Sequence, residues 1–333
     1  MAILDPQIIP TTISREIIKA ASQASVVLKL ARTQPMPTST MTLPVLKTLP
    51  NSGWVSGAAA GRKPATTIEW SAEKITAEEL AAVIAVPDAL IADAGVAIWT
   101  ETRQALVDAM AYAIDSAILF GTNAPPTFLT DGVAGAAIAA GNTAHTPGVD
   151  EDLAHAVNLA MGDVEAAGLT PNGHAADVSI RSALRGMRSV DGLPLFVPNL
   201  SAEAYSTLYG LPIEFSGNGA FDTSVADLIT GDWTKLIVGI RQDLRVDTSN
   251  QAVITDAAGK VLVNAFQDDQ TIMRVYMRLG YVVGKPVTPT SGAGGAFPFA
   301  LVDSATGPGA FAARTAATEE PTGGNGGTKT KSA

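Results

Sequence analysis

Apolar positions three and four residues apart mark the first helix of the chain. In residues 13–32, ISREIIKAASQASVVLKLAR, the residues Ile13, Ile17, Ala20, Ala24, Val27, Leu28 and Ala31 fall on one face, as in an amphipathic helix. Thr12 stands at the N-cap position. The face suits an ordinary surface helix and an inter-subunit contact equally. Val96–Phe120 carries the longest helical pattern: Trp99, Leu106, Met110, Ala113, Ala117 and Phe120 share one face. Glu101, Gln104, Asp108 and Asp115 lie opposite, as a solvated acidic stripe would. Such a helix is about 37 Å long, and Gly121 is placed to cap its C-terminus. Asp150–Ala167 predicts another helix, opened by Asp150, Glu151 and Asp152, acids that suit a helix N-terminus, and closed by Gly168.

The strand pattern is concentrated later in the chain. His174–Ile180, Leu211–Phe215, Leu228–Gly231, Lys235–Ile240 and Asp243–Asp247 read as strands, the last three as consecutive strands of one sheet. Thr271–Leu279 alternates, with Ile272, Arg274, Tyr276 and Arg278 on one parity and Met273, Val275, Met277 and Leu279 on the other. Lys74–Val86 reads as one strand, followed by a turn of helix over Asp88–Ala92. Residues 123–148 are rich in Gly, Ala and Thr and predict a loop, and Ala296–Val302 is a short apolar patch that can dock on the domain.

Residues 33–70 build no core of their own. Pro35, Pro37, Pro44 and Pro50 break any helix there. The β-type runs Thr40–Leu46 and Thr66–Trp70 flank a tip of small residues at Asn51–Gly61, the pattern of a long two-stranded arm. An isolated ribbon is marginal in water, so the arm is expected to lie on another molecule, first of all a second copy of this chain.

Composition narrows the function classes. The 333 residues carry a net charge of −10, which argues against a main surface that grips nucleic acid. Charged residues make up 16% of the chain, below the usual ~25%, as suits a surface partly hidden against neighbours. There is no cysteine, which removes disulfides and thiolate chemistry. The N-terminus lacks the basic and apolar regions of a signal peptide, and no run reaches the ~18 apolar residues of a membrane span. The expected compartment is a cytosol, with no membrane partner.

Searching for chemistry gives little. No phosphate-binding, dinucleotide-binding, nucleophile-elbow or zinc-protease motif is present. His145, His155 and His174 lack metal-ligand spacing and read as structural or surface residues. Asp150–Asp152 and Asp268/Asp269 are acidic enough for a hard cation, yet a helix start and a turn account for them more simply. No catalytic, cofactor or metal residue is assigned. Arg181, Arg185 and Arg188 would share a face of a short helix over Ile180–Val190, either pairing with acids of a neighbour or remaining solvated.

Three stretches carry a resemblance. The first is the arm ending in TTIEW (Thr66–Trp70) with the helix Val96–Gly121, the second GDWTKLIVGIRQDLRVDTS (Gly231–Ser249), the third FQDDQTIMRVYMRLGYVVGKPVT (Phe266–Thr288). In this order they resemble the major capsid proteins of tailed bacteriophages, with the Hong-Kong-phage-type shell fold, over about residues 1–300. The resemblance implies an α+β chain: an N-terminal arm and short helix (1–32), an extension loop (33–73), a peripheral domain with a long spine helix (74–148 and 262–282), an axial domain (149–261 and 283–303) and a disordered tail (304–333). It implies a non-enzymatic protein without cofactors. Hexamers and pentamers would assemble in the host cytoplasm into an icosahedral virion shell around double-stranded DNA, with a portal and with separate scaffolding or decoration proteins as further partners. Trp54, Arg62, Lys63, Ile68 and Trp70 of the loop, with Arg181, Arg185 and Arg188, are the candidate inter-subunit contacts. Some relatives weld subunits through a Lys–Asn isopeptide bond; Lys47, Lys63 and Asn264 are the residues available for it here. The rivals are an encapsulin-type nanocompartment shell and, from another class, a cytosolic metal-dependent α/β enzyme.

Overall fold

A computed structural model describes residues 25–50, 52, 68–89, 96–142, 153–186, 207–256, 258–291 and 295–303. Helix α1 (Val26–Leu30) leads into β1 (Arg32–Pro35), β2 (Thr40–Leu46), β3 (Trp70–Thr76) and β4 (Glu78–Pro87). Then come α2 (Val96–Phe120), α3 (Gly132–Ala139), α4 (Leu153–Ala166), β5 (Gly173–Asp177) and α5 (Ile180–Gly186). β6 (Thr207–Leu208), β7 (Leu211–Ser216), β8 (Leu228–Gly231) and β9 (Leu236–Ser249) follow. The last elements are β10 (Val253–Thr255), β11 (Val261–Asn264), β12 (Gln270–Val283) and β13 (Phe299–Val302).

Two sheets organise the molecule. One has four strands in the order β1-β9-β12-β4, the other five in the order β13-β8-β5-β7-β6. Val275, Met277 and Leu279 of β12 turn into the core while Arg274 lies outside, as alternation requires. Ile272 breaks that parity and is also buried. Apolar residues of α2, including Leu106, Met110, Ile114 and Ile118, pack with Val275, Met277 and Leu279 in the largest core cluster. That cluster continues into the second sheet through Ala175, Ile229, Phe299 and Leu301. Trp233 is the joint. Its indole N–H donates to the Gly173 carbonyl at 3.0 Å, and its ring meets Phe299 edge-on at 5.0 Å, so this large buried side chain leaves no polar atom unpaired. A second cluster forms between α4 and the five-stranded sheet, with Ala156, Val157, Ala160 and Val164 against Ala176, Leu228 and Ala300.

Several expectations need correction. Lys74–Val86 is not one strand: it breaks at Ala77, so that β3 pairs with β2 in the arm and β4 pairs with β12. The second arm strand is Trp70–Thr76 rather than Thr66–Trp70. Residues 66–67 and the tip, apart from Ser52, lie outside the described residues. Lys235–Ile240 and Asp243–Asp247 form one strand, β9, irregular opposite Tyr276–Leu279. β8 belongs to the other sheet. β9 pairs along most of β12, which puts Leu236–Ser249 and Gln270–Val283 in one sheet. Residues 123–148 are not all loop, because α3 lies within them. The apolar patch Ala296–Val302 docks on the domain as expected, its end forming the fully buried edge strand β13. Most of the helix expected over 13–32, the acids Asp150–Asp152 and residues 304–333 lie outside the described residues.

Candidate assembly surfaces

The arm is an antiparallel ribbon in which Thr40 faces Thr76 and Leu46 faces Trp70. Proline suits such an edge, where its missing N–H costs no ladder bond; Pro44 sits in β2 opposite Ala72. The base of the ribbon is anchored. Met36, Ile75 and Ala77 are buried together, with Met41, Leu43, Ile237 and Val282 packed against them. The far end is open: Trp70 is 66% exposed and Ile68 52%. Lys47 and Glu69 pair across it at 3.6 Å, both well exposed, a contact worth little by itself. The arm thus leaves bulky apolar side chains uncovered at its far end.

Of the predicted contact residues, the structure places Ile68 and Trp70 together at this open end. Trp54, Arg62 and Lys63 lie outside the described residues, as does Arg188. Arg181 and Arg185 sit on α5, where the Arg185 Nε–H donates to the Arg181 carbonyl at 3.2 Å. The Arg181 guanidinium lies 4.4 Å from the centre of the Phe215 ring, a cation–π contact.

The buried Asp115 was not among the predicted residues. It was expected on a solvated stripe and is instead fully buried. Its carboxylate accepts from Ser25 Oγ at 2.6 Å, from the Val26 and Val27 N–H groups at 3.1 Å each, and from Asn218 Nδ2 at 2.9 Å. Burial raises its pKa while these donors oppose the shift. The contact satisfies the orphan N–H groups at the start of α1 and ties α1 to α2 and to the loop after β7. Lys29 reinforces the same attachment through Glu214 on β7, at 2.9 Å. An acid inside the apolar run AIDSAILF (Ala113–Phe120) was the available signal.

A second apolar patch lies at the end of the long sheet opposite the arm. Val253, Val261 and Leu262 of the β10–β11 hairpin and Phe266 beyond it are 49, 54, 59 and 76% exposed. Among the described residues no three His, Asp or Glu side chains converge as a metal site. Asp268 instead accepts from the Asn264 N–H at 2.9 Å, closing a turn.

The open end of the arm, with Ile68 and Trp70 exposed, is a surface suited to contact with another molecule. The model of the phage capsid family matches residues 7–287, and the chain belongs to that family. A solved structure from Microbacterium phage Oxtober96 is 30% identical, with a TM-score of 0.72 over 91% of this chain and 94% of that one. One from Mycobacterium phage Adephagia is 29% identical, with a TM-score of 0.73 over 86% and 92%. The capsid of a native GTA particle, 18% identical over 92% and 94%, shares the fold at a TM-score of 0.56. No curated protein matches significantly by sequence. The protein is a structural major capsid protein, a component of a virion shell, and the matches do not favour the nanocompartment alternative. No helix among the described residues is long and apolar enough to cross a membrane.

Proposed function

We propose that this chain forms hexamers and pentamers that close an icosahedral shell around double-stranded DNA, each subunit laying its arm on an adjacent copy. The observation that carries the reading is the arm itself. Its base is buried in its own subunit, and its far end offers Trp70 and Ile68 to whatever lies beside it. Trp70 leaves on the order of 150 Å² to be covered, worth roughly 4 kcal/mol before the costs of association and ordering, enough to bias association. In this reading the four-stranded sheet with α2 is the peripheral unit and the five-stranded sheet with α4 the axial one. The boundary then lies near Trp233 rather than at residue 261. Arg181 and Arg185 on α5, with Arg188, would meet acids of the neighbouring subunit around the capsomer. The DNA is held by enclosure, since a net charge of −10 repels phosphate at close range. A portal, scaffold or decoration protein would complete the particle.

Negative-stain electron microscopy of the protein expressed alone tests this. Closed particles, or free hexamers and pentamers, are expected. Trp70→Ala, or deletion of 51–62, should leave folded subunits that do not close shells. Normal particles from both variants would overturn the arm-based reading.

A further inference from the structure

Asn218 stands between Gly217 and Gly219 just after β7, and its side chain is gripped at both ends. The amide oxygen accepts from Ser216 Oγ at 2.7 Å and from the Ala220 N–H at 3.0 Å. The amide nitrogen donates to Asp115 Oδ2 at 2.9 Å. Ser216 and Asp115 are both buried, so these contacts act in a low dielectric. The two glycines are exposed. A methyl group on either would meet no atom within 4 Å, so this stretch of backbone has room to turn and water around it. Among the described residues the Gly219 N–H donates to no acceptor.

We infer that Asn218 is a self-modifying site, converted through a cyclic imide to aspartate or isoaspartate. The Gly219 nitrogen bonds to Cγ of Asn218 and gives its proton to hydroxide. The bond from Cγ to the side-chain nitrogen then breaks, and that nitrogen leaves as ammonia with a proton taken from water. Water adds to either imide carbonyl and reopens the ring, so one water enters and one ammonia departs. Each grip fits the charge that develops. Negative charge gathers on Oδ1 as the nitrogen adds, where Ser216 and Ala220 already aim their donors. Positive charge gathers on Nδ2 as it is protonated, beside the Asp115 carboxylate. Nucleophile and electrophile are chain neighbours, and Gly219, at a φ of 78°, has the backbone freedom of a residue without Cβ. Asn172–Gly173 is the same dipeptide in another setting. Gly173 is buried at the start of β5 with Trp233 against it, and strand pairing holds its backbone. The product bears on α1, which Asp115 ties down through Ser25, Val26 and Val27. A carboxylate at position 218 faces Asp115 where an N–H used to donate, and the like charges loosen that tie.

Peptide mapping by mass spectrometry reads the conversion. The purified full chain is held in mildly alkaline heavy-oxygen water, then digested in ordinary water. The peptide containing Asn218 should gain the mass of the heavy-oxygen hydrolysis product at least tenfold faster than the peptide containing Asn172. Ser216→Ala, with unchanged circular dichroism, should slow the gain at Asn218 at least threefold. Equal rates at the two asparagines, conversion only in protein unfolded by urea, or a folded Ser216→Ala variant that converts as fast as the wild type would each overturn the assignment. The link to α1 has its own readout. Asn218→Asp, which installs the product, should be cut by trypsin after Lys29 at least tenfold faster than the unconverted protein. Cleavage at an unchanged rate would overturn that link.

Discussion

His174 shows what burial does to one side chain. It sits on β5 facing Thr230 of β8 and Ile213 of β7, fully buried, with Nε2 3.2 Å from the Leu208 carbonyl. Among the described residues neither its Nδ1 nor the Thr230 hydroxyl, both buried, has a partner, and the two lie on facing residues of adjacent strands. An apolar shell penalises the imidazolium, and burial lowers the pKa to about 4 against the weak opposition of Leu208. The unfolded chain binds that proton near pH 6.5 and the folded chain only near 4. Stability from the neutral ring is therefore full above about pH 6.5 and declines as the pH falls towards 4. It does not change further below that through this residue. The whole loss is about 3 kcal/mol. Urea unfolding of capsomers at pH 7.5 and pH 4.5 should show this drop, and His174→Gln should flatten it. An equal drop in the variant would assign the acid sensitivity to other groups.

Among the elements, those written in local periodicity were the legible ones. The expected bounds of α2, β2 and β8 coincide with the observed ones, because a long apolar stripe or a bounded β-branched run needs no distant partner to be recognised. Pairing partners were not legible. Nothing local in Lys74–Val86 says that the strand changes sheets at Ala77, and nothing in GDWTKLIVG (Gly231–Gly239) says that β8 and β9 part there. Asp115 was misplaced for the same reason: its partners are 90 and 103 residues away. The arm was recognised from its prolines and small-residue tip, but its anchorage rests on two glycines. Gly239 and Gly280 face each other across β9 and β12. A methyl group on Gly280 would fall on the Thr76 carbonyl, whereas one on Gly239 would meet the flexible end of Met36. Backbone cannot yield as a thioether can. Gly280→Ala should tilt the arm and cut shell yield at least tenfold in soluble subunits, while Gly239→Ala should cost less than threefold. Comparing particle counts for the two variants by electron microscopy is decisive: equal yields would remove the two glycines from the account of the arm.

For the whole molecule, the electrostatic problem of a shell outweighs that of a subunit. Every copy brings a charge of −10, and like-charged copies brought side by side repel through whatever distance the solvent leaves unscreened. At about 0.01 M salt that distance is ~30 Å, comparable with the subunits themselves; at 0.15 M it is ~8 Å. The attractive contacts are of another range. Apolar cover of Trp70 does not depend on weak screening, and ion pairs at contact distance lose little until the screening length approaches ~3 Å near 1 M. Repulsion and attraction therefore respond to salt in different windows. Shell yield from purified capsomers should rise as sodium chloride goes from 0.01 to 0.15 M, then level or decline towards 1 M as the interfacial ion pairs weaken. Light scattering against salt concentration reads both limbs. A yield that falls from the lowest salt upward would mean that attraction between opposite charges beyond contact range, rather than the apolar arm, carries the assembly, and Trp70→Ala should then be nearly silent.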